Sequence, residues 1–198
     1  MLPVSVVGDK ILQWLVEIDE ATCARVAAAG CPWCDGPLHR SDYPRTPRGG
    51  VLAVFGEAYF RRLSLCCGWE GCRRRSTPPS VRFLGRRVYL GAVVILASLA
   101  ARALATAREV KRATGIPART VDRWRAWWQT DFVSSPLFET ARGRFMPPLE
   151  VTALPASLVE RFELAGADGA TALVRTLGFL SPRTTGSVAD GSRFVRVE

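Results

Sequence analysis

The sequence lacks several features that would place it in a common class of protein. It contains a single histidine, and only two of its 27 basic residues are lysine. Its first twenty residues lack the basic and apolar regions of a secretory signal peptide. The most apolar run, residues 88–101, is shorter than the roughly 20 residues that cross a bilayer. We therefore expect a cytoplasmic protein with no membrane partner.

The signatures of common enzymes are also missing. The sequence contains no glycine-rich phosphate-binding loop, no nucleophile elbow, no HExxH motif and no paired-carboxylate pattern. With one histidine, it also has little scope for acid–base catalysis near neutral pH. We therefore expect a protein that is not an enzyme.

Positive charge is concentrated in the middle of the chain. The formal net charge of the chain is +9. Residues 40–87 have a net charge of +8 and residues 88–125 a net charge of +5. The flanking residues 1–39 and 126–198 carry −3 and −1. A GC-rich genome would explain the preference for arginine over lysine, but it would not explain this clustering. The concentrated basic stretch indicates a polyanionic partner, such as nucleic acid.

Four of the six cysteines are predicted to bind a metal ion. Cys31 and Cys34 form a CxxC motif, and the segment CCGWEGC supplies a second group 32 residues later. Two close pairs on tight turns, separated by the length of a hairpin, are typical of a zinc ribbon. We predict a structural Zn²⁺, because four protein ligands leave no position for water. The predicted ligands are Cys31, Cys34, Cys67 and Cys72.

Three other side chains near these ligands have alternative interpretations. Cys66 remains an alternative to Cys67, because strand alternation favours Cys67 only weakly. His39 is a lesser candidate ligand that we expect on the surface of a hairpin. Cys23 lies in a helical pattern and is expected in the core. A thioredoxin-like redox role is disfavoured, because a helix precedes the CxxC motif and glycine and proline follow it.

Residues 106–132 have the pattern of a helix-turn-helix. Thr106 and Glu109 fit a capping box at the start of a short helix over residues 107–114. Gly115 allows a sharp turn, and Ile116 is expected to fill the angle between the two helices. The second helix is predicted over residues 117–132.

The second helix of this unit is predicted to read DNA bases. Val121, Trp124 and Trp128 recur at i, i+3 and i+7 and form its apolar stripe. The end of this helix nearest the turn enters the major groove in helix-turn-helix proteins, and arginine pairs there with guanine. The residues expected on the open side at that end are Arg119, Thr120 and Arg123.

Other basic residues are expected to contact the DNA backbone, which positions a protein without reading sequence. Three of them lie in the helix-turn-helix segment and three directly follow the last predicted metal ligand. They are Lys111, Arg112, Arg125, Arg73, Arg74 and Arg75.

The fold class expected is mainly α with a small β zinc ribbon, a three-helix, homeodomain-like helix-turn-helix, and short C-terminal helices. The expected divisions are an N-terminal helical segment (1–30), the zinc ribbon (31–82), the helix-turn-helix domain (83–132) and a helical tail (133–198).

Several elements within these divisions have predicted bounds. Residues 6–29 are predicted to be largely helical, with Asp19 as the cap of a segment that ends at Gly30. Residues 57–65 are predicted to form a strand, with residues 38–45 as its partner. Other predicted helices cover 86–105, 155–164 and 168–179.

The order of these motifs resembles the N-terminal DNA-binding part of bacterial insertion-sequence transposases and their stand-alone relatives. The resemblance is carried by CPWC, CCGWEGCRRRSTPPS and TAREVKRATGIPARTVDRW and covers residues 31–130. It implies a zinc ribbon and helix-turn-helix that hold DNA near the ends of a mobile element. Transposases that cut DNA also need an RNase H-like domain with three carboxylates, and only 66 residues follow Phe132. That length is too short for such a domain.

The sequence therefore predicts sequence-specific binding of double-stranded DNA. The role would be that of a transposition accessory protein or a transcriptional regulator. The alternative is an adaptor in which the zinc ribbon docks a partner protein. The tail would then recruit that partner or a second copy of the chain. RNA binding through the ribbon is a lesser variant.

Overall fold

Helices form most of the structure. The computed structural model describes residues 8–48, 55–84, 89–104 and 106–184. The helices in these ranges are α1 (Asp9–Ala29), α2 (Gly91–Ala103), α3 (Ala107–Thr114), α4 (Ala118–Trp127), α5 (Pro136–Ala141), α6 (Ala156–Leu164) and α7 (Gly169–Leu180). The expected mainly helical fold is confirmed.

The strands are two or three residues long and form small antiparallel sheets. They are β1 (Leu38–Arg40), β2 (Tyr43–Pro44), β3 (Arg61–Arg62), β4 (Leu65–Cys67), β5 (Arg75–Ser76), β6 (Phe83–Leu84) and β7 (Tyr89–Leu90). In the described ranges, one sheet has the order β1-β4-β5, and two further pairs are β2-β3 and β6-β7. Leu38 lies opposite Cys67 in the first sheet, so strand pairing brings the segments that carry the two cysteine pairs together.

Helix α1 runs without interruption through Asp19, so the prediction that this residue caps a helix is wrong. Asp19 lies in the middle of the helix and is 2% exposed. The predicted end at Gly30 is confirmed, since this glycine has a φ of 79° and its N–H donates to the carbonyl of Ala27. Positive φ values of this kind favour glycine because it has no Cβ.

The predicted strand over residues 57–65 is only partly correct. Glu57–Phe60 forms a turn of 3-10 helix, and short strands follow it. The rings of Tyr59 and Phe60 both lie near Phe55, with centroids 4.6 and 6.5 Å away. A strand would send these neighbouring side chains to opposite faces, so clustering around Phe55 favours the helical turn.

Two predicted helices differ from the observed ones at their ends. The helix expected over 86–105 begins at Gly91, after strand β7; residues 85–88 and 105 lie outside the described ranges. The helix expected over 117–132 is α-helical to Trp127 and then continues as a π-helical turn over Trp128–Phe132. In the tail, α6 and α7 agree with the predicted helices to within one residue at each end.

The main hydrophobic core forms around α2. Residues 91–99 of this helix are all buried, and they share one core with apolar residues of α1, α4, α6 and α7. Leu158 and Leu173, both in the C-terminal segment, are completely buried in it. The C-terminal helices therefore pack into the same core as the N-terminal helix.

A buried ion pair connects α1 to the segment before β6. The Asp19 Oδ2 atom lies 2.7 Å from Arg82 Nε, and the two side chains are 2% and 1% exposed. Arg82 also donates hydrogen bonds to the carbonyls of Tyr59 and Arg61. A charged pair this deep is tolerated only when its remaining polar atoms are also paired. This network therefore fixes several segments relative to α1.

Candidate metal centre and basic helix face

Four cysteines converge at the C-terminal end of α1. The Sγ atoms of Cys31, Cys34, Cys67 and Cys72 all lie within 4.8 Å of one another. The Cys31–Cys72 and Cys34–Cys67 sulfur pairs are separated by 3.7 and 3.5 Å. A tetrahedral ion with metal–sulfur bonds of about 2.3 Å requires sulfurs about 3.8 Å apart. The four side chains therefore could hold a metal ion.

The first pair of cysteines is held by a tight loop directly after α1. The Cys31 N–H donates to the carbonyl of Gly36 (2.9 Å), and the Asp35 N–H donates to the carbonyl of Cys31 (2.8 Å). Gly36 lies close to the sulfurs, because a Cβ at this position would be 3.4 Å from the Sγ atoms of both Cys34 and Cys67. This loop therefore brings backbone and sulfur close together around the centre.

The second pair lies on the connection between β4 and β5. Cys67 ends β4, and its N–H donates to the carbonyl of Arg74 (2.9 Å). The N–H groups of Cys72 and Arg73 both donate to the carbonyl of Trp69 (3.0 Å each). Arg73 has a positive φ of 48°, which reverses the chain after the last cysteine. Strand pairing and this turn thus place the two pairs face to face.

The thiols of the cluster differ in acidity. Burial acts to raise the pKa of Cys31, but hydrogen bonds from the Trp33 backbone and from neighbouring thiols lower that pKa to about 7. Burial raises the pKa of Cys67. Four thiolates at this separation would repel one another. A bound cation would relieve that repulsion, which fits a soft metal ion.

The other candidate ligands lie outside the cluster. Cys66 is adjacent to Cys67 but its thiol donates to the carbonyl of Arg73 (3.5 Å). His39 is exposed and lies opposite Cys66 in the sheet. Cys23 is 1% exposed and packs with Leu63 and Leu65 in a small second core. The observed cluster contains Cys67 rather than Cys66.

Helices α3 and α4 are joined by a short, well-defined turn. Thr106 and Glu109 form the predicted capping box at the start of α3. Gly115 has a left-handed conformation (φ 71°), and its N–H donates to the carbonyl of Lys111 (2.8 Å). Ile116 is 1% exposed and fills the space beside the turn. The local signals in the sequence therefore specify this connection.

The open side of α4 carries arginines, but not the predicted threonine. Arg119 and Arg123 are exposed, one helical turn apart. Thr120 is only 7% exposed, so its placement on the open side was wrong. It lies next to Val121 on the side of α4 that is buried, with Trp124 and Trp128. The buried stripe is one residue wider than the apolar pattern predicted.

The predicted backbone-contacting residues of this region are all exposed: Lys111, Arg112 and Arg125. Arg125 has a weak contact with Asp122 on the same helix (4.0 Å). Arg123 lies over the ring of Tyr89, with its guanidinium carbon 6.0 Å from the ring centroid. Arg108 is also exposed in the first turn of α3, although no motif in the sequence marks it. Its only sequence signal was its place in the basic stretch.

The three arginines after the last cysteine are exposed, but two of them already contact aromatic rings. Arg74 lies over Trp33 (5.5 Å to the centroid), and Arg75 lies over Tyr43 (5.4 Å). Arg75 also donates to the carbonyl of Ser41 (3.2 Å). Arg73 and Arg74 are therefore better placed than Arg75 to meet an external anion.

Two exposed tryptophans on the cysteine loops were missed in the sequence. Trp33 and Trp69 are 41% and 60% exposed. The available signal was their position, since each stands between the two ligand cysteines of its loop.

None of the described helices is long and apolar enough to cross a membrane. Comparison of the chain with protein-family models, with curated proteins and with solved structures finds no match, so its function has to be argued from these residues.

Proposed function

We propose that this protein binds double-stranded DNA in a sequence-specific manner, with α3 and α4 as a helix-turn-helix. The observation that carries the proposal is the composition of α4. Its inner side is buried through Val121 and Trp124, while Arg119 and Arg123 are exposed near the end closest to the turn. In helix-turn-helix proteins, this end of the second helix enters the major groove.

The two arginines suit the recognition of guanine. A guanidinium presents a planar fork of donors that matches the two acceptors of guanine in the major groove. Arg119 and Arg123 lie four residues apart, and so they project from the same side of the helix. Within the described ranges, neither forms an ion pair with an acidic side chain. Both are therefore available to bases.

The remaining exposed cations support contacts with phosphate. Lys111 and Arg112 lie in the last turn of α3, and Arg125 lies on α4. Such contacts fix the position of a protein on the duplex and make its affinity strongly dependent on salt.

In this proposal the four-cysteine centre holds a structural zinc ion in a zinc ribbon. The sulfur separations suit tetrahedral coordination, and soft thiolates favour Zn²⁺ over harder divalent cations. With all four positions filled by cysteine, the ion would stabilise the loops that carry Arg73 and Arg74. These arginines would extend the basic surface beyond α4.

The proposed role is that of a binding protein, either a transposition accessory factor or a transcriptional regulator. In the part of the chain that the structure describes, the cysteine cluster is the only group of three or more close side chains that could hold a metal ion. The carboxylate cluster of a DNA-cutting enzyme is thus not among the described residues.

The proposal is tested by selecting sequences from a randomised duplex pool with zinc-loaded protein, followed by fluorescence anisotropy at several salt concentrations. We expect selection of a defined site and a linear fall of log K with log salt. Arg119→Ala and Arg123→Ala should each weaken binding to the selected site roughly 5- to 150-fold and relax one base position. The matched control is Arg175→Ala, which removes one exposed arginine from α7.

Two outcomes would contradict the proposal. The first is the recovery of no preferred sequence. The second is an equal loss of affinity in Arg175→Ala and in the α4 variants, which would mean that net charge alone drives binding. Either result would shift attention to the adaptor function, in which the ribbon docks a partner protein and α3–α4 serve as scaffold.

A further inference from the structure

Each of the two cysteine loops presents a solvent-exposed tryptophan. Trp33 lies between Cys31 and Cys34, and Trp69 lies between Cys67 and Cys72. The two side chains are 41% and 60% exposed. In contrast, the tryptophans of the α4 region, Trp124 and Trp128, are 4% and 0% exposed. The exposure of two large aromatic rings at one centre is thus a specific feature of the loops.

Each of the two tryptophans lies close to the other cysteine-bearing segment. The Arg74 guanidinium, which follows the second loop, lies 5.5 Å from the ring centroid of Trp33 on the first loop. Conversely, Cγ of Trp69 lies 3.5 Å from the position that a Cβ of Gly36 would occupy on the first loop. Each ring thus lies near a residue of the other cysteine-bearing segment. We call the surface formed by Trp33, Trp69, Arg73 and Arg74 the tryptophan face.

The chemistry of this face suits an aromatic ligand that also carries negative charge. The exposed rings offer flat apolar surfaces, Arg74 lies over the Trp33 ring, and Arg73 is an exposed cation next to Arg74 in the chain. Asp35 and Glu70 are also exposed on these loops, so the face is not simply an electropositive patch. Stacking would therefore provide most of the affinity, and the arginines would hold a phosphate next to the stacked ring.

An unpaired nucleotide meets both requirements. Its base has a free π-face that stacks on tryptophan or on a guanidinium plane, and its phosphate pairs with arginine. The bases of an intact duplex are stacked on one another and do not offer these faces. We propose that the tryptophan face binds unpaired bases of single-stranded DNA. This activity is separate from the duplex binding assigned to α4.

The test uses the zinc-loaded full chain and a labelled oligothymidine of about 12 nucleotides, a length within the usual site size of single-strand binders. Binding is followed by anisotropy and by quenching of tryptophan fluorescence. Trp33→Ala and Trp69→Ala should each weaken binding roughly 5- to 150-fold, as expected for the loss of one stacked base. Trp69→Phe, which keeps an aromatic ring, should retain most of the affinity.

Trp14→Ala is the matched control. Trp14 is 40% exposed, almost the same fraction as Trp33, but it lies on α1 about 24 Å along the helix from the first cysteine loop. This variant should bind the oligonucleotide like the unsubstituted protein. The zinc content of every variant shows whether the cysteine loops still hold their ion. If an alanine variant loses its zinc, the comparison uses Trp69→Phe, which keeps an aromatic ring in the loop.

The proposal is overturned if Trp33→Ala and Trp69→Ala bind the oligonucleotide as tightly as Trp14→Ala does. It is also overturned if a blunt duplex displaces the oligonucleotide as effectively as unlabelled oligothymidine. Failure here is distinguishable from failure of the α4 proposal. Arg119→Ala and Arg123→Ala should lose duplex selectivity and keep oligothymidine binding, whereas the tryptophan variants should show the reverse.

Discussion

Replacing Asp19 with asparagine should strongly destabilise the protein. The Asp19 carboxylate accepts hydrogen bonds from the Ser80 hydroxyl (2.5 Å), the Val81 N–H (2.7 Å) and Arg82 Nε (2.7 Å). All of these contacts are buried, and Arg82 is only 1% exposed. Asparagine removes the negative charge and replaces one of the two carboxylate oxygens with an NH₂ group, which cannot accept from the donor that it faces. The Arg82 charge would then be buried without a counter-ion.

The size of this effect follows from the burial of the pair. Removing one partner of a buried ion pair costs about 3–5 kcal/mol, because the other charge is left uncompensated. Arg82 keeps its hydrogen bonds to two carbonyls, of Tyr59 and Arg61, which places the expected loss within that range rather than above it. With a urea m-value of about 2 kcal/mol/M, the unfolding midpoint should fall by about 2 M.

The next residue along the helix supplies a matched control for urea unfolding of the zinc-loaded protein. Glu20 also pairs with an arginine, Arg40 (2.6 Å), but those side chains are 45% and 51% exposed. Glu20→Gln should therefore change the free energy of unfolding by about 0–1 kcal/mol. If Asp19→Asn costs no more than Glu20→Gln, the buried pair does not stabilise the fold. Addition of Arg82→Met to Asp19→Asn should recover part of the lost stability, because the stranded charge is removed while the carbonyls of Tyr59 and Arg61 lose their donor.

Two further predictions concern the candidate metal centre and the main core. Cys67→Ser should abolish stoichiometric zinc binding and Cys66→Ser should retain it, because only the Cys67 sulfur lies in the cluster. The zinc content of both variants is measured after dialysis. Equal zinc content in the two variants would contradict this ligand set. Ser98→Ala should lower the free energy of unfolding by about 1–3 kcal/mol, because the buried Trp128 Nε1–H loses the Ser98 hydroxyl, its acceptor at 3.2 Å. Thermal or urea unfolding measures this change. An unchanged midpoint would mean that the hydrogen bond does not stabilise the fold.

Features specified by short stretches of sequence were predictable. The cysteine spacing predicted a four-sulfur cluster, because two close cysteine pairs at this separation are typical of a metal-binding site. The capping box at Thr106 and the glycine at 115 predicted the ends of α3 to the residue. Both signals act within a few residues, so no knowledge of the tertiary structure was needed.

Features that depend on distant segments were not predictable. Thr120 is polar and was expected on the open side of α4, but the tertiary structure buries it next to Val121. Asp19 was interpreted as a helix cap, because its actual partner, Arg82, is 63 residues away and is not visible in the local pattern. The exposure of Trp33 and Trp69 likewise follows from the direction in which the cysteine loops project. In each case, the environment is created by residues that the local pattern does not contain.

The two hydrophobic cores differ in size, so the cysteine loops have few apolar contacts of their own. In the described ranges, the second core contains three buried residues, Cys23, Leu63 and Leu65, and its strands are two or three residues long. Strands this short are marginal without further support. Helix α1 joins the two cores, since it places Leu15 in the main core and Cys23 in the second. A bound ion would therefore complete a module that its own apolar contacts cannot stabilise, while α1 and the Asp19–Arg82 pair attach that module to the helices that carry Arg119 and Arg123.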